Sequence, residues 1–396
     1  MVDDAATQAV LDALDPGEVL AFARALLAAP SENPGGTEEL AARVAVDILE
    51  ALGAEPEVIR GEAGRPSVIA AFGSGARPKL AWNGHLDVVP AGDPSTWEHP
   101  PFDGTVVDGR LIGRGAADMK GAVAAALAAA GAIVRSGVEL GGTLELHLAA
   151  DEELTGNHGT RVLWEAGLLD QDACIVGEPT ELQLALVERG GAWVTATARG
   201  KAAHGSTPHL GVNAITSMAR FLLHLEEVLP EREHPLVGRP TVNAALIEGG
   251  SAPNVVPDLC EVDVDRRLIP GERSPEDLLA SFERLAARLA GHHPEMDLTF
   301  TIREWTDAAE APRDSRIAEL LRAAVTAETG TPPADVGITG ITDARFYINE
   351  ARIPTVILGP GSLTVAHTAN ERVAVDELVA AARIYARAFV AYLGGG

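Results

Sequence analysis

The chain has 396 residues, 46% of them hydrophobic, and a formal net charge of -26 at pH 7. This length exceeds what one hydrophobic core usually supports, so we expect a large domain and a smaller one, or two comparable domains. The negative charge excludes nucleic acid as a partner, because phosphate binding requires a basic face. It is compatible with a solvated acidic surface that aids solubility and with adaptation to high salt.

The cysteines and the longest apolar run exclude further classes of protein. Cys174 and Cys260 lie in apolar patterns, which predicts buried thiols and neither a disulfide framework nor a thiolate metal cluster. Any metal ion would then be held by histidine and carboxylate. Residues 121–134 are mostly alanine and too short to span a bilayer. No signal peptide is visible, so we expect a soluble, cytoplasmic protein without a membrane partner.

The first part of the chain alternates predicted helices and strands. Asp15-Pro16 combines a capping residue with a proline at the first helical position, which predicts a helix start. A second helix is expected from near Thr37 to Leu52. Leucines alternate with polar residues at 144–148, which is typical of a half-buried strand. The strands predicted in this part cover 80–82, 144–148 and 173–176.

The middle of the chain has a different pattern, in the order strand, helix, strand, strand, helix, strand. This order is that of a ferredoxin-like α+β unit. Its predicted elements cover 194–198, 213–229, 242–247, 260–266, 274–289 and 298–302. The first pattern returns afterwards, with a helix at 317–329, a strand at 355–358 and a helix at 375–393. We therefore predict an α/β domain over 1–181 and 306–396, into which a second domain over 182–305 is inserted.

Several polar residues stand where predicted strands end. His85 follows the first of them, Glu152 and Glu153 follow the second, and Glu178 follows the third. In open α/β sheets the loops at the carboxyl ends of the strands converge on a crevice that binds ligands. These side chains are therefore expected to lie close together.

Two of the motifs allow more than one interpretation. In His85-Leu86-Asp87 the imidazole is a good metal ligand and the carboxylate can fix its tautomer, but such a pair is also found in loops and helix caps. Asp118 follows a glycine-containing segment, residues 113–117, and precedes the predicted alanine-rich helix. It fits both a helix N-cap and a bridging metal ligand.

Three adjacent carboxylates, Asp151-Glu152-Glu153, repel one another. A solvated turn relieves this repulsion, and so does a bound cation. Two neighbouring glutamates can divide the work, with one as a ligand and the other as a general base. Glu178 has little structural reason to follow a buried strand, and His367 after the strand at 355–358 is either structural or a ligand.

Taken in chain order, these motifs resemble those of a known family. The matching segments are His85-Leu86-Asp87, Asp118-Met119-Lys120-Gly121, Glu152-Glu153, Gly177-Glu178-Pro179-Thr180 and Ala366-His367. They are similar to the dizinc metallopeptidase/deacylase family of acetylornithine deacetylase and succinyl-diaminopimelate desuccinylase, with aminoacylase and glutamate-type carboxypeptidase. The resemblance covers essentially the whole chain. It implies a zinc-peptidase-like catalytic domain with a central mixed sheet flanked by helices, and an inserted ferredoxin-like lid that forms a homodimer.

The resemblance also implies roles for individual residues. Asp118 would bridge two zinc ions, for which cobalt or manganese can substitute. His85 and Glu178 would complete one site, and Glu153 with His367 the other. Glu152 would be the general base, and Asp87 would orient His85. From the lid, His204 would stabilise the tetrahedral oxyanion in the partner subunit's active site, and the residues that grip the substrate would be Asn254, Arg267 and Arg345.

The resemblance leaves the substrate open. Removal of an acetyl or succinyl group from an N-acyl amino acid is the first candidate, and cleavage of a dipeptide or a C-terminal residue by the same groups is the second. A catalytically inactive metal-binding protein is the third. Arg345 lies in a segment similar to the desuccinylase branch, whereas residues 359–362 are closer to the acetylornithine deacetylase branch. Glu188-Arg189 stands where the desuccinylase branch has paired arginines.

Overall fold

The computed structural model describes residues 5–35, 38–61 and 65–394. The chain divides into two compact units. The first comprises Met1–Leu186, Ala311–Val336 and Thr342–Gly396, and the second comprises Val187–Glu310 with Gly337–Ile341. The second unit is therefore inserted between parts of the first, where the sequence predicted a domain over 182–305.

The α-helices of the described residues are distributed over both units. They are α1 Ala5–Ala13, α2 Pro16–Leu27, α3 Glu39–Ala51, α4 Lys120–Ser136, α5 Thr160–Glu165, α6 Ala214–Leu222, α7 Pro275–Ala290, α8 Arg316–Thr329 and α9 Val375–Leu393. Among the described residues, no helix is both long and apolar enough to cross a membrane.

The strands of the described residues form three sheets. They are β1 Glu57–Arg60, β2 Pro66–Gly73, β3 Lys79–His85, β4 Thr105–Val107, β5 Arg110–Ile112, β6 Thr143–Ala149, β7 Ala173–Val176, β8 Leu184–Glu188, β9 Gly190–Arg199, β10 Thr241–Gly249, β11 Leu259–Leu268, β12 Asp297–Thr306, β13 Ala309–Glu310, β14 Asp335–Ile338, β15 Thr355–Ile357 and β16 Arg372–Ala374.

The helix start predicted at Asp15-Pro16 is confirmed by the start of α2. Asp15 caps α2, its side chain accepting a hydrogen bond from the Gly17 N–H with Pro16 at the first helical position. The second predicted helix corresponds to α3. Its predicted start near Thr37 lies outside the described residues.

The first unit is built on a mixed sheet in the order β1-β2-β6-β3-β7-β15-β8. Strand β3 runs parallel to both β6 and β7, and β15 runs parallel to β7, so these strands end at the same edge. Strand β6 confirms the strand predicted at 144–148, but it is almost wholly buried, so the prediction that it is half-buried is wrong. It lies between β2 and β3 in the sheet, with α9 packed against it.

Helix α4 explains the alanine-rich run. Nearly all of its residues are buried, around the whole circumference of the helix. Helices α1, α2 and α9 pack against it, and α4 also contacts β3. Small side chains allow neighbouring backbones to approach closely, so alanine suits a helix that is enclosed on every side. This helix fixes the position of the segment that precedes it, which carries Asp118.

The second unit has an antiparallel sheet in the order β10-β11-β9-β12. Its elements follow the sequence strand, helix, strand, strand, helix, strand, which confirms the predicted ferredoxin-like fold. The core of this unit contains Phe221 from α6 and Phe282 from α7 against alternate residues of β9 and β11. The helix predicted at 213–229 is shorter than expected, because α6 ends at Leu222 and a separate 3-10 turn covers Leu225–Val228.

Candidate active site

The structure gathers histidines and carboxylates at one edge of the first unit's sheet. His85 is the last residue of β3, and Glu178 follows β7 closely. Two groups of potential metal ligands meet there, and in each the ligand atoms lie within 4.8 Å of one another. One group is His85, Asp118 and Glu178, and the other is Asp118, Glu153 and His367. Asp118 belongs to both.

The two oxygens of Asp118 face different histidines. Oδ1 lies 3.1 Å from Nε2 of His85, and Oδ2 lies 3.4 Å from Nε2 of His367. Glu178 is on the His85 side, with Oε1 at 3.7 Å from Nε2 of that residue. Glu153 is on the His367 side, with Oε2 at 2.9 Å from Nε2. The arrangement is that of a carboxylate placed between two donor sets.

The hydrogen bond at the other ring nitrogen fixes the tautomer of His85. Its Nδ1 lies 2.9 Å from the backbone carbonyl oxygen of Asp87, which can only accept a hydrogen bond. Nδ1 therefore carries a proton, and Nε2 faces the carboxylates as the nitrogen that would bind a metal ion once deprotonated. The Asp87 carboxylate is farther away, at 3.6 Å from Nδ1. Its two oxygens accept the N–H groups of Glu152 and Glu153, each at 3.2 Å.

The electrostatics of this cluster favour a bound cation. Burial, together with the neighbouring Glu178, raises the pKa of Glu152 well above its ordinary value. Burial likewise raises the pKa of Glu178 well above its ordinary value, and that of Glu153 less strongly. Hydrogen bonds to Asp118 and Glu153 raise the pKa of His367 to about 10. Each shift reflects negative charge that is short of positive partners.

The donor set fits two divalent ions of the zinc type. Imidazole nitrogens and carboxylate oxygens are the ligands that hydrolytic zinc sites use. Four carboxylates, from Asp118, Glu152, Glu153 and Glu178, converge on the cluster, so two divalent cations would balance their charge. The free thiols Cys174 and Cys260 are both buried, as predicted, and neither belongs to these ligand groups.

The first of the three adjacent carboxylates serves another purpose. Asp151 pairs with Arg65 at 2.5 Å and accepts a hydrogen bond from the Asn33 side chain at 3.2 Å. The Asn33 amide also donates to the Asp87 carboxylate, at 2.9 Å. The sequence reasoning did not find Arg65 or Asn33, because nothing in their local pattern marks them as neighbours of residues far along the chain.

Asp118 does not cap the alanine-rich helix. The residue at the N-cap position of α4 is Met119, and the cap has no side-chain hydrogen bond. The backbone around Asp118 is held instead by Glu371, a buried residue of the first unit that sequence reasoning also missed. The spacing of Glu371 four residues after His367 gave no signal of this contact.

Arg345, the predicted substrate-binding residue of the first unit, already donates hydrogen bonds to carbonyl oxygens of the chain. Arg345 is half-buried, and its guanidinium donates to the carbonyl oxygens of Thr342, at 2.8 Å, and of Thr155. The guanidinium also lies over the Phe346 ring, 4.3 Å from the centroid. Neighbouring Asp343 is buried, and burial raises its pKa to about 6.

The remaining predicted residues, His204, Asn254 and Arg267, belong to the second unit. The backbone N–H of Ser206 donates to Nδ1 of His204 at 3.1 Å, so the ring proton is on Nε2, and the side chain is exposed. The loop of His204 lies beside that of Asn254, whose carbonyl accepts the Gly205 N–H at 2.7 Å. Arg267 is paired with Asp265 at 3.1 Å.

The two groups of potential metal ligands at the sheet edge have the donors that a metal-dependent hydrolase requires. Residues 81–391 match the model of peptidase family M20/M25/M40. The chain belongs to this family. This confirms the family resemblance, the fold class and the enzyme class predicted from the sequence.

Curated relatives match along most of the chain. A succinyl-diaminopimelate desuccinylase of Halorhodospira halophila is 35% identical, over 92% of this chain and 96% of the relative. The desuccinylase of Rhodospirillum rubrum is 32% identical, over 94% and 98%. A probable desuccinylase of Staphylococcus epidermidis is 29% identical, over 88% and 91%.

Solved structures share the fold. An M20 family metallo-carboxypeptidase from Sulfolobus solfataricus has a TM-score of 0.78 at 20% identity, covering 95% of this chain and 99% of the other. A dinuclear metal-binding peptidase of the M20 family from Bacillus subtilis has a TM-score of 0.73 at 18% identity, covering 96% and 98%. At this identity the likeness concerns the fold alone.

Proposed function

We propose that the chain is a dizinc deacylase that removes an acetyl or succinyl group from an N-acyl amino acid. The observation that carries the proposal is the pair of ligand groups joined at Asp118, with Glu152 close by. His85, Asp118 and Glu178 would hold one ion, and Asp118, Glu153 and His367 the other. Cobalt or manganese could take the place of zinc, because the same imidazole and carboxylate donors bind them.

The chemistry follows from the side chains. Two zinc ions in such a site lower the pKa of water and polarise a carbonyl group. Glu152, 3.8 Å from Nε2 of His85, would act as general base and take a proton from the attacking water. The water oxygen adds to the acyl carbon, the C–N bond breaks, and Glu152 delivers the proton to the leaving amine. Burial raises the pKa of Glu152 above its ordinary value, which makes its carboxylate a stronger base.

Asp87 supports this role of Glu152 through the backbone. Its carboxylate accepts the N–H groups of both Glu152 and Glu153, while its carbonyl holds the ring of His85. One residue would thereby position the general base and a ligand of each ion. We propose that Asp87 acts as a positioning residue in this way.

A carboxylate-bearing substrate is supported by the arginines and by the names of the relatives. The curated relatives are called succinyl-diaminopimelate desuccinylases, which favours a succinyl group among the acyl groups. Arg345 has N–H donors beyond the two that reach carbonyl oxygens, and guanidinium recognises carboxylate in a two-point manner. Asn254 and Arg267 would supply further contacts from the second unit.

The second unit would act as a lid and join two subunits into a homodimer. Strand β10 is one of the two edge strands of its sheet, and Leu246 and Ile247 on it are 67% and 63% exposed. Leu223 at the end of α6 is 84% exposed. Exposed apolar side chains of this size favour an interface. We propose that His204 would then donate its Nε2–H to the oxyanion in the partner subunit's active site.

A domain over 182–305 and a cytoplasmic location stay predictions.

Cleavage of a dipeptide, or of a C-terminal residue, is the alternative. The proposed ligands and general base would act on any linear amide whose carbonyl reaches them, so the centre alone does not separate the two reactions. The discriminating groups are those that contact the acyl and amine sides of the substrate.

A panel of substrates tests the proposal. The zinc- or cobalt-loaded enzyme is assayed with N-acetyl and N-succinyl amino acids and with dipeptides, and kcat/KM is measured for each. The proposal expects the highest values with N-acyl amino acids. Faster turnover of dipeptides would identify a dipeptidase, and no hydrolysis of any substrate would indicate an inactive metal-binding protein.

A further inference from the structure

The segment before helix α4 is organised by a single buried carboxylate, that of Glu371. Its Oε1 accepts three backbone N–H groups, from Gly115 at 3.0 Å, Ala117 at 2.9 Å and Asp118 at 3.0 Å. Three donors on one oxygen leave the loop little freedom to change its path. The side chain of Glu371 is fully buried, so water does not compete for these hydrogen bonds.

The second oxygen of Glu371 is paired with a buried arginine. Oε2 lies 2.5 Å from Nη1 of Arg114, and both side chains are at most 2% exposed. A charge-assisted contact of this kind is stronger than a neutral hydrogen bond and holds the carboxylate in one orientation. Burying either charge without the other would be costly.

The backbone of the same residue ties two distant segments together. The Glu371 carbonyl oxygen accepts the Gly113 N–H at 2.9 Å, and the next residues form β16, which pairs with β5. His367 lies four residues before Glu371, and Asp118 lies at the end of the loop that its side chain holds. These two residues face each other at 3.4 Å.

We propose that Glu371 is a positioning residue that sets the spacing between Asp118 and His367 and so the affinity of one of the two metal sites. The inference rests on the proposed function. Asp118, whose N–H Glu371 accepts, belongs to both ligand groups. Only the Glu153–His367 group has a second ligand, His367, on the segment that Glu371 anchors, whereas His85 and Glu178 are carried by the ends of β3 and β7. The Glu153–His367 site is therefore the more sensitive one.

Two substitutions separate the contribution of the hydrogen bonds that Glu371 accepts from the contribution of its charge. Glu371→Gln keeps an oxygen that can accept the three N–H groups but loses the charge that faces Arg114. Glu371→Ala loses both. The control is Asp335→Asn, because Asp335 is also a largely buried carboxylate held by two arginines, Arg313 at 2.5 Å and Arg322 at 2.9 Å, and belongs to neither ligand group.

The experiment titrates cobalt(II) into metal-stripped full-length chains and follows the visible absorption of the bound ion. Total metal is checked by elemental analysis and folding by circular dichroism. Wild type and Asp335→Asn should bind two ions with unchanged affinities. Glu371→Gln should bind one ion normally and the other at least about tenfold more weakly, the range seen when a residue that orients a ligand is lost. Glu371→Ala should weaken it further.

Three results would count against these ideas. If folded Glu371→Gln and Glu371→Ala bind both ions with wild-type affinity, Glu371 is structural only and the inference is wrong. Equal weakening of both sites would contradict the assignment to one site. A wild-type chain that takes up fewer than two ions would contradict the proposed function itself, and the inference with it. If Glu371→Ala does not fold, the comparison of Glu371→Gln with wild type decides.

Discussion

Glu152 and Glu153 are adjacent in the chain but face different partners. Glu153 lies 2.9 Å from Nε2 of His367, whereas Glu152 lies 3.8 Å from Nε2 of His85. The shorter contact is suited to a shared ligand group and the longer one leaves Glu152 able to exchange a proton. This difference supports the division of roles between a ligand and a general base.

Replacing the general base should abolish turnover without removing the metal ions. Glu152→Gln keeps the size of the side chain and removes the group that accepts the proton. We expect kcat to fall by about 10²–10⁴-fold, the usual contribution of general acid–base catalysis. Steady-state kinetics and metal analysis measure both effects. The exposed Glu165 of α5 provides the control Glu165→Gln. Hydrolysis that survives Glu152→Gln intact would disprove the assigned role.

His204 has a defined tautomer in the second unit, with its Nε2–H available to an acceptor. His204→Ala should therefore lower kcat by about 10²–10³-fold, as expected for the loss of one oxyanion donor, and leave the metal content unchanged. His209 is also an exposed histidine of the second unit, so His209→Ala is the matched control. Loss of metal in His204→Ala would show that the residue has been given the wrong role.

At the level of elements, the parallel strands β7 and β15 explain why a glycine follows β15. A Cβ at Gly359 would lie 2.0 Å from the Gly177 carbonyl oxygen and 2.6 Å from that of Glu178. Real Cβ atoms do not approach backbone this closely, so any side chain here displaces the segment that carries Glu178. The backbone approach between the two strand ends is thus part of how the ligand is positioned.

Gly359→Ala should weaken both the fold and the metal site. Overpacking of this kind costs about 1–3 kcal/mol, and the displaced Glu178 should lower the affinity for one ion. Thermal unfolding and cobalt titration check the two effects. Gly340→Ala is the control, since its Cβ would meet only the Ile338 side chain, at 3.6 Å. Wild-type stability and affinity in Gly359→Ala would contradict this account.

The sequence predicted the elements whose patterns are local. Apolar runs marked β3 and β7, leucines alternating with polar residues marked β6, and the capping residue Asp15 marked α2. The ligands at the strand ends could be proposed because parallel strands end at one edge of a sheet. The contacts of Arg65 and Glu371 could not, because each joins segments distant in sequence, such as Arg65 with Asp151. The burial of β6 was missed for the same reason, since it depends on neighbouring strands and α9.

For the whole molecule, the buried carboxylates of the active site make stability depend on pH and metal together. Burial raises the pKa values of Glu152, Glu153 and Glu178 above their ordinary value of 4.5. The folded chain then binds these protons more tightly than the unfolded chain, so the free energy of unfolding falls as pH rises above about 4.5. His367, with its pKa raised to about 10, acts in the same direction above 6.5.

The metal-free enzyme should therefore lose stability between pH 5 and pH 7. Burial lowers the pKa of Lys120 to about 7. Above pH 7 the buried Lys120 therefore opposes the loss of stability, and the prediction is limited to pH 5–7. Zinc requires deprotonated ligands and binds better as pH rises. The difference in Tm between the zinc-loaded and chelator-treated chains should widen from pH 5 to pH 7. Thermal unfolding at constant ionic strength measures this difference in Tm. A difference that stays constant or narrows from pH 5 to pH 7 would contradict the prediction.

The proposed dimer links association to catalysis. In a two-fold symmetric interface the same surface contacts itself, so a charge placed on the edge strand β10 would lie near its own copy and lose hydration. Leu246→Lys should therefore give a monomer in light scattering after size exclusion. Its kcat should fall as in His204→Ala with metal content unchanged, because His204 would have no partner active site. Val134, 48% exposed in the first unit, provides the control Val134→Lys. A fully active monomer would show that catalysis needs no second subunit, and an intact dimer would place the interface elsewhere.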